Sequence, residues 1–185
     1  MKAVLYPLLF TLFAAFTSPA YAQGAIDEIR AGIFAQSCCG PGSNKEEGVA
    51  LNGEVIFNSP RALTVLGSPR PVVGGTIATD GDATSLGYFG LEWKFDLAPK
   101  IFVAVGGGGA VHNGETKFDP LVDAPRVNNT LFLGCRAAIR MAGDLGYRIA
   151  PRVSASLHWS HISNAGLCQV NEGLDHLGVR LGFDF

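Results

Sequence analysis

The end of the chain constrains it most. From Asp175 onward it reads Asp-His-Leu-Gly-Val-Arg-Leu-Gly-Phe-Asp-Phe. Successive side chains of a strand point to opposite faces. Leu177, Val179, Leu181, Phe183 and Phe185 therefore share one face, and His176, Gly178, Arg180, Gly182 and Asp184 the other. The same period recurs upstream. Val153, Ala155, Leu157 and Trp159 alternate with Ser154, Ser156, His158 and Ser160. Leu131, Leu133, Cys135, Ala137, Ile139, Met141 and Leu145 oppose Arg136, Arg140, Asp144 and Arg148. Phe89, Leu91, Trp93, Phe95 and Leu97 oppose Tyr88, Glu92, Lys94 and Asp96. Weaker strands near 27–36, 49–58, 71–79 and 100–112 bring the count to eight.

The rest of the chain says where such strands live. Met1 to Ala22 carries Lys2, an apolar stretch from Ala3 to Phe16, and Ala20-Tyr21-Ala22 at its end. That is the pattern of a secretory signal peptide cleaved before Gln23, leaving 23–185 as a single β-barrel domain. Only 16% of residues are charged against 48% apolar, which excludes an extended disordered chain. A net charge of −2 offers no footprint for nucleic acid. No later segment supplies the ~18 consecutive apolar residues of a spanning helix. An exported chain of this kind is either a secreted all-β protein or an outer-membrane barrel.

Alternation alone fits both. A lipocalin-like barrel would turn the apolar face inward, a membrane barrel outward. The terminal Phe185 resembles the C-terminal signature of outer-membrane barrels, and a soluble edge strand ending this way would invite aggregation. The expected fold is all-β, an eight-stranded antiparallel outer-membrane β-barrel. Eight strands enclose only enough room for their own side chains. Glu54, Glu92, Lys94, Arg136, Arg140, Asp144, Arg148 and Arg180 should therefore pair inside and leave no pore. The turns at Ala98-Pro99 and Ala150-Pro151 are short, as periplasmic turns are. Those at 37–48, 80–84, 113–130 and 164–174 are mostly longer and face outside. Ser59–Arg70 is a long exception on the periplasmic side.

Strand seven departs from its apolar pattern at the outer end. After Trp159 the next positions on that face are His161 and Ser163. Asp175, at the start of the last strand, has the same outward parity. A serine needs a base to take its proton, and the base needs an acid to orient it. His161, Ser163 and Asp175 fill these roles on two paired strands at the outer rim. Single polar residues at a rim are commonplace; three with complementary roles and one parity point to a nucleophilic hydrolase.

The stretch His161-Ile162-Ser163-Asn164-Ala165-Gly166-Leu167, followed by Asn171-Glu172-Gly173-Leu174-Asp175-His176-Leu177-Gly178-Val179-Arg180-Leu181-Gly182, resembles the PagL lipid A deacylase family. Weaker similarity covers the mature chain, including Gly87–Leu97 and Phe102–Gly114. The resemblance implies an outer-membrane serine esterase that hydrolyses the 3-O-linked acyl chain of lipid A, with lipopolysaccharide as substrate and outer-membrane lipid as surroundings. The family's His-x-Ser-Asn pattern places its catalytic His and Ser on His161 and Ser163. Its third member is a Glu, and the aligned residue is Asp175, one methylene shorter; Glu172 is the second candidate. Asn164, Asn171 and the Gly166 N–H are the candidate oxyanion donors. A homodimer is compatible with this reading.

The other polar residues are read as structural. His158 has interior parity. Metal-ligand spacing is absent among the four histidines, and such a hydrolysis needs no cofactor and no metal. Asp80-Gly81-Asp82 reads as a hairpin turn. An exported protein meets an oxidising compartment. Cys38 and Cys39 lie in the first outer loop and Cys168 in the last, and closure makes these loops neighbours. A bond from Cys168 to Cys38 or Cys39 is expected, with Cys135 free on the lipid face. The alternative to an enzyme is a structural or adhesive outer-membrane barrel, which has no use for His161 paired with Ser163.

Overall fold

The alternation closes on itself. The computed structural model describes residues 25–185, so the expected signal peptide lies outside the described residues. The strands are β1 Ile26–Gln36, β2 Gly48–Phe57, β3 Arg70–Ala78, β4 Leu86–Ala98, β5 Ile101–His112, β6 Ala137–Ala150, β7 Val153–Ser163 and β8 Leu174–Asp184. Each pairs antiparallel with its neighbours in sequence, and β8 pairs with β1. Closure satisfies every strand edge, which is what lets a sheet exist in hydrocarbon. This is the expected barrel.

Register fixes the faces. Leu157 stands opposite Val179, and Val153 opposite Phe183. Leu157, Val179 and Phe183 are exposed on the outer wall, as are Leu51, Ile77 and Val105. Charges go inside. Arg30 grips Glu28 at 2.8 and 2.9 Å and Glu92 at 2.6 and 2.9 Å, and reaches Glu54 at 3.3 Å. Arg180 bonds Glu54 at 3.0 Å and Asp144 at 2.5 and 3.2 Å. A buried ion pair repays its desolvation only when geometry is good and the remaining groups are satisfied; here each guanidinium meets more than one carboxylate. Aromatic rings fill what the charges leave. Gly146 makes the space for the Phe102 ring, which an added Cβ would strike.

Two of the expected interior charges sit elsewhere. Arg136 is exposed and donates to the carbonyls of His112 at 3.1 Å and Gly114 at 3.0 Å. It precedes the first residue of β6, so it belongs to the outer rim. Arg148 pairs with Asp96 at 2.5 Å at the periplasmic mouth, where both are partly in water.

Strand six also starts later than the alternation suggested. Residues 131–136 are loop, and Gly134 breaks the chain there with a left-handed φ of 79°. Leu131 and Leu133, 0% and 1% exposed, do not face lipid. They turn inward onto Leu86, Tyr88, Ala110, Ile162 and Leu174, capping the outer end of the lumen. The Leu133 N–H holds the cap by donating to the Glu115 carbonyl at 2.8 Å. Apolar residues two apart mark a strand face or a folded-in cap equally well.

The turns at 99–100 and 151–152 are two residues long, and the long loops lie at the opposite end. The exception, 58–69, carries a 3-10 helix at Arg61–Leu66. The Trp93 indole donates to the Leu66 carbonyl at 2.8 Å and ties that segment to the wall.

Candidate active site

His161 and Asp175 are direct cross-strand partners on β7 and β8. Such pairs hold their Cβ atoms ~4.5–5.5 Å apart, so short side chains meet. The imidazole Nδ1 lies 2.8 Å from Asp175 Oδ1. With Nδ1–H donating, Nε2 carries the lone pair. Ser163 follows on the same outward face, half-buried, opposite Ile139 of β6. The Trp159 ring runs parallel to the imidazole, at 11° and 6.3 Å between centroids.

The outward parity is as expected, but the acid is not bare to lipid. Asp175 is 1% exposed and His161 8%. Their cover is the first outer loop, 37–47. Its Ser37 N–H donates to the Asp175 carbonyl at 2.8 Å, and its Ser43 N–H to the Gly173 carbonyl at 2.7 Å. The Gly42 N–H donates to Asp175 Oδ2. The carboxylate thus spends one oxygen on the imidazole and the other on a backbone N–H, both charge-assisted contacts. A Cβ at Gly40 would lie 2.5 Å from the Asp175 Cγ, and one at Gly42 2.5 Å from its Oδ2. On the far side, a Cβ at Gly173 would crowd the His161 ring, lying 3.1 Å from Nε2 and closer to Cε1. Sequence reasoning missed these three glycines. The signal was available: closure of β8 on β1 lays the first loop over Asp175, and Gly40-Pro41-Gly42 marks a close backbone approach.

Asn164, Gly166 and Asn171 come together as one network behind Ser163. Asn164 Nδ2 donates to the carbonyls of Leu133 at 2.7 Å and Val170 at 2.6 Å. Its Oδ1 accepts from the Gly166 N–H at 2.9 Å, and its own N–H donates to Asn171 Oδ1 at 2.9 Å. Glu172 does not reach His161. It pairs with Lys45 and accepts from the Phe132 N–H at 2.8 Å, tying three outer loops together.

The disulfide differs from the expected one. Cys168 bonds Cys135, with Cα atoms 6.0 Å apart, and Cys38 and Cys39 are free. The reason is the late start of β6. Cys135 is not a wall residue but part of the capping loop, which brings it to the loop after β7. His158 is fully buried in the lumen against Asp144 at 3.1 Å. His112 Nε2 lies 2.6 Å from the Cys135 carbonyl. Asp80 Oδ1 accepts from the Asp82 N–H at 3.1 Å in a turn. Among the described residues no group of three His, Cys, Asp or Glu is arranged to hold a metal ion.

A closed eight-stranded barrel with an apolar outer wall is an outer-membrane barrel, and it carries a buried acid–imidazole contact at its outer rim. The family model described as lipid A 3-O-deacylase (PagL) matches residues 71–184, and the chain belongs to this family. A comparison with curated proteins finds no match. Among solved structures, the crystal structure of the outer membrane enzyme PagL aligns with a TM-score of 0.60 at 20% identity, over 85% of this chain and 99% of that one. A de novo designed transmembrane β-barrel aligns with a TM-score of 0.52 at 9% identity, over 87% and 96%. At these identities the structures speak for the fold; the family model speaks for the deacylase class.

Proposed function

We propose that this protein removes the 3-O-linked acyl chain of lipid A, with Ser163 as nucleophile, His161 as base and Asp175 as acid. One observation carries the reading: the buried 2.8 Å contact between His161 and Asp175, with Ser163 two residues along the same outward face. A barrel that served only as scaffold would gain nothing from a roofed acid bonded to a histidine on its wall.

Lipid A lies in the outer leaflet, and a site beside the long outer loops would meet it there. The ester reaches the wall by lateral diffusion. Ser163 Oγ attacks the ester carbonyl while His161 Nε2 takes its proton, and Asp175 stabilises the imidazolium. The tetrahedral oxyanion needs fixed donors. Asn164 and the Gly166 N–H are engaged with each other and with the carbonyls of Leu133 and Val170. They support the turn after Ser163, and Asn171, anchored through its oxygen, is the remaining donor among the three. His161 returns the proton to the departing sugar hydroxyl. Water then attacks the acyl-enzyme by the same route and releases the fatty acid.

The test is mass spectrometry of lipid A incubated with purified protein in mixed micelles. Loss of one 3-hydroxyacyl group is expected with the parent and not with Ser163→Ala. Release at the parent rate by folded Ser163→Ala protein would overturn the assignment.

A further inference from the structure

Two thiols sit beside the acid, and the reaction above makes no use of them. Cys38 and Cys39 are adjacent in the loop that roofs Asp175; both are free, with Cys39 exposed and Cys38 half-buried. The backbone there is tightly wound. Ser37 and Cys39 both take left-handed conformations, with φ of 55° and 65°. Residues with a Cβ hold such conformations only where surrounding contacts enforce them. The enforcing contacts are bonds to Asp175 on either side of the pair: the Ser37 N–H to its carbonyl before, and the Gly42 N–H to its carboxylate after.

We propose that Cys38 and Cys39 form a redox-active dithiol which closes to a vicinal disulfide by exchange with a small-molecule disulfide, and that closure lifts the Gly40–Gly42 segment off Asp175 and slows the hydrolase. The effect on rate rests on the reading of His161 and Asp175 as base and acid; the dithiol chemistry does not.

Geometry links the two. Neighbouring Cα atoms stand ~3.8 Å apart, whereas disulfide-bonded pairs usually stand ~4.4–6.8 Å apart. The peptide unit cannot lengthen, so a bond between adjacent cysteines closes a strained ring that fixes the backbone torsions between them. Ser37 and Ser43 are both anchored to the start of β8, so the torsional change is taken up by residues 40–42 between them. That segment has no slack: Gly40 and Gly42 already lie so close to the Asp175 carboxylate that a Cβ on either would be 2.5 Å from it. Shifting it breaks the Gly42 N–H bond that holds the second carboxylate oxygen.

The exchange balances in two steps. The Cys39 thiolate attacks one sulfur of the donor disulfide and expels its partner as a thiolate, forming a mixed disulfide. The Cys38 thiolate then attacks the Cys39 sulfur and expels the second donor thiolate. The protein is oxidised by two electrons, the donor is reduced by two, and the two cysteine protons end on the two released thiols. Burial, the Cys39 sulfur and the Asp175 charge push the Cys38 thiol up to about 11. Exposed Cys39 therefore reacts first. Cys38, adjacent in the chain, is the thiol placed to resolve the mixed disulfide.

The experiment uses the full protein in detergent micelles with its Cys135–Cys168 bond intact. It is incubated with increasing glutathione disulfide, alkylated with iodoacetamide, digested and weighed, with lipid A turnover measured in parallel. The peptide carrying Cys38 and Cys39 is expected to lose both alkylations and to be lighter than the dithiol form by two hydrogens. The turnover number should fall roughly tenfold, the scale of one lost hydrogen bond to a charged group. Cys38→Ser/Cys39→Ser protein should keep the basal rate and ignore the oxidant. Persistent double alkylation, a stable glutathione adduct, a closed disulfide with unchanged rate, or an equal response from the double variant would each overturn the proposal. Were no form to turn over lipid A, the function proposed above would fail separately. The mass shift and the NMR signal of the His161 Nδ1 proton would then still decide whether closure forms and reaches the acid.

Discussion

One methyl group on the roof of the acid tests whether the loop after β1 belongs to the catalytic machinery. In Gly40→Ala the new Cβ would lie 2.5 Å from Asp175 Cγ and Oδ2 and 2.6 Å from Oδ1, where ordinary contact begins at 3.4 Å. The whole carboxylate must therefore yield by the difference, 0.9 Å, or the loop must rise. Rising is resisted by the Ser43 N–H bond to Gly173 at 2.7 Å and the Ser37 N–H bond to Asp175 at 2.8 Å. It would also cost the acid its Gly42 N–H. If the carboxylate gives way, its 2.8 Å contact with His161 stretches toward the limit of a hydrogen bond. Complete loss of the acid's function in a serine triad costs about 10⁴-fold, and a misplacement of ~1 Å about 10²-fold. The expected outcome is a fall of about 10²-fold in kcat for lipid A deacylation with KM little changed, because Gly40 touches the acid and not the substrate. Gly48→Ala is the control, since a Cβ there meets nothing within 4 Å. Folded Gly40→Ala protein with the parent kcat would refute the claim that the loop positions the acid.

Ser163→Ala and His161→Ala should each leave the barrel folded and lower lipid A turnover by several orders of magnitude, while Asp175→Ala should cost less because the acid orients but does not attack. Cys135→Ser opens a disulfide that spans 33 residues; chain entropy puts its contribution at roughly 3.5 kcal/mol. A lower Tm and faster proteolysis within 113–136 or 164–173 should follow, with no change if the bond is idle. Arg30→Met takes the central guanidinium from Glu28, Glu54 and Glu92, which keep only Arg70, Lys94 and Arg180 at the edges of the cluster. Urea unfolding in detergent should show a loss of a few kcal/mol, below the ~3–5 kcal/mol of a buried pair broken with no partner left.

The barrel was legible because its signal is repeated. Every strand states the two-residue period, and a single weak segment such as 71–79 is corrected by its neighbours. His161, Ser163 and Asp175 were legible for the same reason, since parity carries a side chain's direction along a strand. Parity stops where strands stop. Leu131 and Leu133 keep the period across Gly134 yet fold inward, because the outer end of a lumen lined by Tyr88, Ile162 and Leu174 also needs an apolar partner. The same misplaced boundary sent Cys135 to the wall and Arg136 to the interior. The roof over Asp175 left only a faint trace, for another reason. It depends on contacts between residues 135 apart in sequence, Gly40 and Asp175, and such a contact leaves no mark on either segment beyond two glycines around a proline.

The acid lies on the last strand, and its roof on the loop that follows the first. These two ends of the chain meet only at the β1–β8 seam. On the chemistry proposed above, the β7–β8 hairpin brings His161, Ser163 and Asp175 together, yet the roof reaches Asp175 only once that seam zips. A half-inserted chain, still open along that seam, therefore has the three side chains without the loop that holds the acid in place. For the lipid A deacylase proposed above, whose substrate would be the fabric of the membrane it is built into, completion of assembly would serve as the safety catch.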